Sequence, residues 1–395
     1  MAVAPMAEID MFATSDRRTR HEQYRLLRDM GGVVRLRDPD VYAVARYDEV
    51  KAALGDHETF VSGEGVGFDP GVNQLMRGVT LVSDPPEHGV LRSVVGAGLR
   101  PGPLRARGEE IARKARDLVA RAVAEGEVDG VTALAQALPM LVIPDYLGLP
   151  ERNREHLYAW GQVGNDLLGP ASERTPHNAE MTRRLFAFAH ELAANRELAP
   201  GSPGAAMLEA ADRGVIAEEK CPLLLVDFIG PSLETTAAAI GHLLVAFAEH
   251  PAQWDALRAE PGLVASAVNE VLRLETPVRG LTRLASRDTE LGGVSVPQGA
   301  RIWALFASAN RDERKWERAD AFDLRRNPLD HLGFGYGVHN CVGQGAARVE
   351  LHAFVHALLD SVERVELTGD PVIAENTILN TYTEIPLRLV ARKPA

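Results

Sequence analysis

The segment FGYGVHNCVGQG, residues 334–345, carries Cys341, one of only two cysteines in a chain of 395 residues. A structural zinc site needs about four ligands, usually with a second Cys or His two to four positions away. Only His339 lies at such a spacing, because Cys221 is remote in the sequence. A catalytic thiol needs a base and an oriented third group, and that alternative stays open. The spacing therefore argues against zinc.

The glycines around Cys341 argue against an inert buried cysteine. Gly335, Gly337 and Gly343 allow the backbone to approach a flat, bulky group and permit positive φ in the turn. A helix predicted over 344–362 begins directly behind Cys341, and its N-terminal N–H groups favour a thiolate. One protein thiolate is a sufficient ligand when a macrocycle supplies the others. The loop therefore predicts a haem-binding thiolate.

Residues Phe334 to Gly343 resemble the haem-binding signature FGxGxHxCxG of the cytochrome P450 family, with every signature position filled. The resemblance extends over essentially the whole chain. It implies a mainly α fold, with small peripheral β-sheets and a long central helix over the haem. It also implies a single domain over residues 1–395 and haem b as cofactor. Cys341 would be the iron ligand, and Phe334 and Gly335 would contact the cofactor.

The run NEVLRLETP places Glu270 and Arg273 one helical turn apart. On spacing alone such a pair is usually a solvated surface pair of little energetic weight. The run resembles the ExxR pair of the family, which supports the cysteine loop from the proximal side. The arginine that normally precedes Phe322 in the family is Ala321 here. Arg325 or Arg326 is therefore the expected third partner.

Four residues are expected to hold the haem propionates. In SDPPEHGVLR, His88 and Arg92 lie four residues apart on one face of a helix. The pair resembles the HxxxR motif of the family, and Arg283 matches the arginine that reaches the other propionate. His339 in the cysteine loop points to the same place. Cationic and donor groups suit carboxylates, although each residue alone would more often be a surface charge.

The segment 221–250 is apolar or small on nearly all sides and predicts a helix through the middle of the protein. Its acid–alcohol pair, Glu234 and Thr235, resembles the pair that delivers protons above the haem iron in the family. The alternatives are a structural ion pair for Glu234 and a bond from Thr235 to the carbonyl of Pro231. Pro231 should kink the helix. Ser232 adds a hydroxyl near the substrate.

The remaining organisation follows from composition and pattern. The β-rich parts are expected at about 30–60, 280–310 and 365–395, and the helical parts at about 84–275 and 344–362. The glycine-rich stretch 61–84 reads as a mobile loop, either a functional lid or a plain surface loop. Residues 376–393 read as a hairpin. Candidates for the substrate pocket are Ser232, Val278, Arg279 and Leu379, although Arg279 is more often structural.

The bulk properties limit partners and location. A net charge of −12 argues against nucleic-acid binding. No basic and apolar leader opens the sequence, and no apolar run reaches the roughly 18 residues of a membrane span. Two cysteines in this length fit a reducing cytoplasm. Residues 92–116 form a basic stretch that could attract an acidic protein or simply be a solvated helix face.

The resulting hypothesis is a haem-thiolate monooxygenase that inserts one atom of O2 into a small or medium organic substrate. The chain has no dinucleotide-binding glycine motif and no cluster-binding cysteine set. Electrons are therefore expected from a ferredoxin or flavodoxin with its NAD(P)H-dependent reductase. The alternatives are a peroxygenase using H2O2, a non-turnover haem sensor or carrier-protein-docking module, and, most remotely, a cysteine-nucleophile hydrolase.

Overall fold

The computed structural model describes residues 2–12 and 16–393. Within them lie fourteen α-helices and thirteen strands. The helices are α1 Arg17–Met30, α2 Tyr47–Gly55, α3 Pro70–Leu75, α4 Glu87–Gly98, α5 Pro101–Glu125, α6 Ala137–Leu147, α7 Leu157–Leu167, α8 Thr175–Asn195, α9 Pro203–Asp212, α10 Cys221–Glu249, α11 Pro251–Ala259, α12 Val264–Leu274, α13 Phe306–Ala309 and α14 Gln344–Ser361. The strands are β1 Met6–Ala7, β2 Val33–Leu36, β3 Val41–Val44, β4 Phe60–Val61, β5 Glu127–Asp129, β6 Leu281–Ala285, β7 Thr289–Leu291, β8 Val294–Val296, β9 Arg301–Ala304, β10 Val362–Leu367, β11 Val372–Ile373, β12 Tyr382–Glu384 and β13 Pro386–Ala391.

Helix α10 runs through the centre of the helical region. Seven other α-helices pack on it, namely α4, α6, α7, α8, α9, α12 and α14, and α11 follows it directly. Its side chains are buried on nearly every side, as the all-round apolar pattern predicts. By length and composition the segment Glu218–Glu249 could cross a membrane, although 72 % of its apolar window is buried inside the protein. The expectation that no segment is long and apolar enough to span a membrane is therefore wrong by length and composition.

Helix α5 shows how sequence periodicity places an element against the candidate site. Ile111, Ala115 and Leu118 follow the three-and-four spacing of one helical face, and all three are buried. This face packs closely along α14, the helix behind Cys341. The basic residues on the opposite face of α5 therefore lie on the outer side of the cysteine loop.

The strands form four small sheets at the periphery. The largest has six strands in the order β1-β2-β3-β9-β6-β4, and a second has three in the order β10-β13-β5. The remaining pairs are β11-β12 and β7-β8. The mainly α class with peripheral sheets is confirmed. One large hydrophobic cluster joins residues from Leu91 to Leu389, and three smaller clusters also form, so the single domain over residues 1–395 stays a prediction.

Two sequence-based expectations need correction. Residues 376–393 do not form a hairpin, because β12 pairs with β11 and β13 lies between β10 and β5. Only Ile385 separates β12 from β13, and one residue cannot reverse the chain. The stretch 61–84 contains α3 and the short 3-10 turn Thr80–Val82. Val66, Val72 and Val82 hold it against the helices.

Candidate functional site

The cysteine loop is a tight turn between Phe334 and the start of α14. The N–H of Cys341 donates to the carbonyl of Phe334 at 2.8 Å and closes the loop. Gly335 and Gly337 have φ of 70° and 73°, in the left-handed region that favours glycine. A Cβ at Gly337 would also overlap the carbonyl oxygen of Leu54. The loop therefore requires glycine at these positions, as the sequence predicts.

Two opposing effects act on the pKa of the Cys341 thiol. Burial raises its pKa, whereas the N–H groups of Gly343 and Gln344 and the charges of Arg92 and Arg348 act in the opposite direction. Burial is the larger effect, and the N–H groups at the start of α14 favour the thiolate, as the sequence predicts. A coordinated metal ion deprotonates a bound thiol outright. With a metal ion bound, the N–H groups of Gly343 and Gln344 would stabilise the resulting thiolate.

The Glu270–Arg273 pair is completely buried beside this loop. Arg273 Nε and Nη2 donate to the two carboxylate oxygens of Glu270, each at 2.8 Å. Arg273 Nη1 donates to the carbonyls of Asn310 and Ala319, at 2.7 and 2.8 Å. The third partner is Arg326, whose Nε lies 3.0 Å from Glu270 Oε1. Arg325, the other candidate, pairs with Glu260 at the surface instead.

The four residues predicted to hold carboxylates lie together. The rings of His88 and His339 are 4.2 Å apart, and both Nε2 atoms are buried without a hydrogen-bond partner. Arg92 donates to the carbonyl of Asn340 at 2.5 Å. Arg283 is buried and, among the residues that the structure describes, donates only to the adjacent carbonyl of Thr282. Burial lowers the pKa of Arg283 to about 10, and burial followed by Arg283 lowers that of His339 to about 3.

This arrangement fits haem. Buried cationic groups are normally paired, and an unpaired buried charge is costly. Asp84 lies near, but its two oxygens already accept from the N–H groups of Ser62 and Gly63. The buried Arg283 guanidinium therefore needs an anionic partner from outside the chain, and the two neutral imidazoles can each offer an N–H to the same partner. The two propionates of haem, with Cys341 for the iron, meet this need.

Replacing Arg283 by leucine should weaken haem retention and leave the haem-free protein equally or more stable. The buried guanidinium is a cost without haem and a charge-assisted partner with it. We expect the rate of haem transfer to apomyoglobin to rise about tenfold or more. Arg287→Leu is the matched control, because Arg287 is exposed on the same segment. An equal effect of both variants would contradict the assignment.

Helix α10 has a line of accessible positions in an otherwise mostly buried middle part. They are Leu223, Asp227, Pro231 and Thr235, four residues apart, which we call the α10 stripe; Pro231 is exposed and the other three are partly exposed. The stripe is therefore the accessible side of a helix that is packed on its other sides. The Thr235 hydroxyl donates to the carbonyl of Pro231 at 2.8 Å. The hydroxyl at Ser232 donates to the carbonyl of Phe228, so it does not reach into the pocket in this state.

Glu234 points away from the α10 stripe, into the protein. Its Oε2 accepts a hydrogen bond from Asn165 Nδ2 in α7 at 2.7 Å. Among the residues that the structure describes, it has no ion-pair partner, so the ion-pair alternative is wrong. Burial raises the pKa of this carboxyl well above its ordinary value. Burial therefore favours the protonated form of the Glu234 carboxyl group.

The other three residues predicted to line the substrate pocket are Val278, Arg279 and Leu379, and they differ in exposure and in hydrogen bonding. Val278 and Leu379 form an isolated bridge, so two segments predicted to meet at the pocket are adjacent. Val278 is partly exposed, whereas Leu379 has no exposed surface. Arg279 is buried and donates to the hydroxyl of Tyr24 at 2.7 Å and to two backbone carbonyls. These bonds hold Arg279 in a structural role, so it does not bind substrate.

Two site residues have no signal in the sequence, and a third has a signal that the sequence analysis did not use. Asn165 is 69 residues from Glu234, and only the packing of α7 on α10 brings them together. Arg348 lies one turn into α14, and its guanidinium carbon Cζ stacks 4.5 Å from the centre of the Phe334 ring. Asp227 could have been found as an acid within an apolar helix. Its position on the α10 stripe depends on which side of the helix is left open.

Comparisons with known proteins give one consistent result. The family model described as Cytochrome P450 matches residues 139–382. A cytochrome P450 of Rhodopseudomonas palustris is 34% identical, with 98% of this chain and 95% of that protein covered. Linalool 8-monooxygenase of Pseudomonas putida is 32% identical, with 90% and 89% covered. A solved Mycobacterium marinum cytochrome P450 in complex with pseudoionone has a TM-score of 0.88 and 29% identity, with 98% and 100% covered.

Proposed function

The chain belongs to the cytochrome P450 family, and from that premise we propose the residues that carry its activity. The protein is a haem-thiolate monooxygenase that binds haem b and inserts one atom of O2 into an organic substrate. We assign Cys341 as the iron ligand and His88, Arg92, Arg283 and His339 as the propionate-binding group. The observation that supports this most strongly is the buried guanidinium of Arg283 with two buried imidazoles, which form no ion pair with the described residues, beside Cys341.

Haem bound at Cys341 would supply the iron at which O2 is activated. Phe334 and Gly335 shape the loop beneath it, because the Phe334 carbonyl holds the N–H of Cys341. Glu270 and Arg273 fix this loop by joining α12 to the backbone around Ala319. The α10 stripe bounds the other side of the cavity, where substrate binds. Its apolar surroundings exclude water from the reacting atoms.

Thr235 and Glu234 are the proposed proton-delivery residues. Reduction of O2 during insertion of one oxygen atom consumes two protons. The Thr235 hydroxyl on the α10 stripe can donate its proton towards the cavity when it leaves the Pro231 carbonyl. Burial raises the pKa of the Glu234 carboxyl and so favours its protonated form, and Glu234 lies next to Thr235 in the chain. Movement of its side chain away from Asn165 would resupply Thr235.

Replacing Thr235 by alanine should separate product formation from reductant consumption. With a surrogate ferredoxin and its reductase, we expect product per NAD(P)H to fall about tenfold or more, with H2O2 released instead. Glu234→Gln should slow turnover at unchanged substrate affinity, because the amide keeps the shape but releases no proton. Thr236→Ala is the control, since this adjacent threonine is buried off the α10 stripe. The measurement compares oxygen uptake, H2O2 and product.

The same assay separates the alternative functions. Hydrogen peroxide already carries both electrons and both protons, so a peroxygenase would not depend on Thr235. Efficient turnover with H2O2 and none with the redox partner would contradict the monooxygenase mechanism proposed for these residues. A haem sensor or carrier-docking module would consume no oxygen with any substrate. A cysteine-nucleophile hydrolase would purify without haem.

The electron donor is proposed to be an acidic ferredoxin or flavodoxin that docks on the outer face of α5. Arg107, Arg113 and Lys114 are paired with acids of the chain itself. Within the described residues, Arg100, Arg105 and Arg116 have no ion-pair partner and are exposed. This face lies beyond the cysteine loop, so it gives a short electron path and an attractive charge. We propose a cytoplasmic location, with neither membrane nor nucleic acid as partner.

A further inference from the structure

Asp227 is a carboxylate that the proposed mechanism does not use. It lies on the α10 stripe, two turns before Thr235, within a helix that is otherwise apolar in this part. Burial raises the pKa of its carboxyl to about 6, against hydrogen bonding from Thr80. At neutral pH most molecules therefore carry a negative charge here. A deep carboxylate beside the substrate cavity needs a partner.

The protein supplies only part of that partner. Asp227 Oδ2 accepts from the backbone N–H of Thr80 at 2.5 Å, which ties the 3-10 turn Thr80–Val82 to α10. Across the described ranges 2–12 and 16–393, no cation pairs with the carboxylate, and the Thr80 hydroxyl is the side-chain donor beside it. Pro231 has no N–H to donate to the Asp227 carbonyl. The carboxylate thus lacks a cationic partner, and the backbone carbonyl lacks its helical donor.

We propose that Asp227 selects substrates carrying a protonated amine, with Oδ1 accepting the substrate N–H while Oδ2 holds Thr80. The inference builds on the proposed function, because it names the substrate class of the same cavity. A desolvated carboxylate binds an ammonium by a charge-assisted hydrogen bond, binds a neutral donor less strongly, and repels another carboxylate. The order of affinity should be ammonium, alcohol, ether and then carboxylic acid.

The experiment uses four probes with one carbon skeleton. They are N,N-dimethyl-4-phenylbutylamine, 4-phenylbutan-1-ol, its methyl ether and 4-phenylbutanoic acid. The tertiary amine has one N–H when protonated and is too hindered to coordinate iron readily. Dissociation constants are measured by isothermal titration calorimetry on the haem-loaded protein at neutral pH. The reduced, CO-bound spectrum of the same sample reports on the proposed function separately.

Asp227→Asn is the decisive variant, because an asparagine oxygen can still accept from Thr80 while the charge is lost. The ammonium probe should bind the wild type about tenfold or more tightly than the ether, and this preference should vanish in the variant. Affinity for the ether should change less than about threefold. Glu64→Gln removes an exposed carboxylate from the neighbouring loop and should change none of the four constants.

Three results would overturn the proposal. One is a wild type without preference for the ammonium over the ether, including the case in which no probe binds. Another is a parallel loss of all four affinities in Asp227→Asn, which would indicate a purely structural bond to Thr80. The third is an equal effect of Glu64→Gln, which would indicate long-range charge. Each can occur while the thiolate spectrum is intact, so the proposed function would be unaffected.

Discussion

Replacing Cys341 by serine is expected to abolish the red-shifted Soret band of the reduced, CO-bound protein. A serine hydroxyl does not ionise near neutral pH and is a harder ligand, so the strongly donating thiolate is lost. Loss of a residue that hydrogen-bonds to a metal ligand typically costs about 10–100-fold in metal affinity or activity. Loss of the ligand itself should lower turnover by more than about 100-fold. The measurement is the spectrum together with NAD(P)H-driven turnover.

The second cysteine gives a matched control for this substitution. Cys221 is buried at the start of α10, where its Sγ lies 3.7 Å from the carbonyl oxygen of Met207. Cys221→Ser should leave the spectrum unchanged, because this thiol belongs only to the core. An identical spectrum in Cys341→Ser and wild type would refute thiolate ligation by Cys341. The cysteine would then have to be considered again as a nucleophile.

Replacing Arg273 by alanine should destabilise the fold more than any surface substitution. Arg273 makes two bonds to Glu270 and further bonds to backbone carbonyls, with no exposed surface on either side chain. Removing Arg273 leaves the buried Glu270 with Arg326 as its cationic partner. It also deprives the carbonyls of Asn310 and Ala319 of a donor. Breaking a buried pair in this way costs about 3–5 kcal/mol. Arg273→Lys should recover little of this, because lysine lacks the planar fork that binds both oxygens. Urea denaturation, followed by circular dichroism, measures the loss.

The surface pair of Arg325 and Glu260 provides the comparison. Both side chains are more than half exposed, and the pair lies one position along the chain from Arg326. Arg325→Ala should cost no more than about 1 kcal/mol. If both variants lost similar stability, the buried network would not be the support of the cysteine loop. Reduced haem content in Arg273→Ala would connect the network directly with the site.

Local sequence determined the parts of this protein that depend on spacing along one element. The glycines around Cys341, the one-turn separation of Glu270 and Arg273, and the all-round apolar character of α10 each follow from the geometry of one turn or helix. Such geometry is short-range, because φ and the helical repeat are fixed by neighbouring residues. These features indicated the haem loop and the central helix, whereas the full fold and the proposed roles of Glu234 and Thr235 came with the resemblance to the cytochrome P450 family.

The tertiary structure alone decided which distant groups meet. Arg325 and Arg326 are adjacent in the sequence, yet only Arg326 turns inward to Glu270. Asn165 reaches Glu234 from another helix, and Arg279 is satisfied by Tyr24 in α1 rather than by substrate. The open side of α10, which exposes Asp227, is likewise set by the elements packed around it. Side chains far apart in sequence find partners through close packing of whole elements, and no local spacing encodes that arrangement.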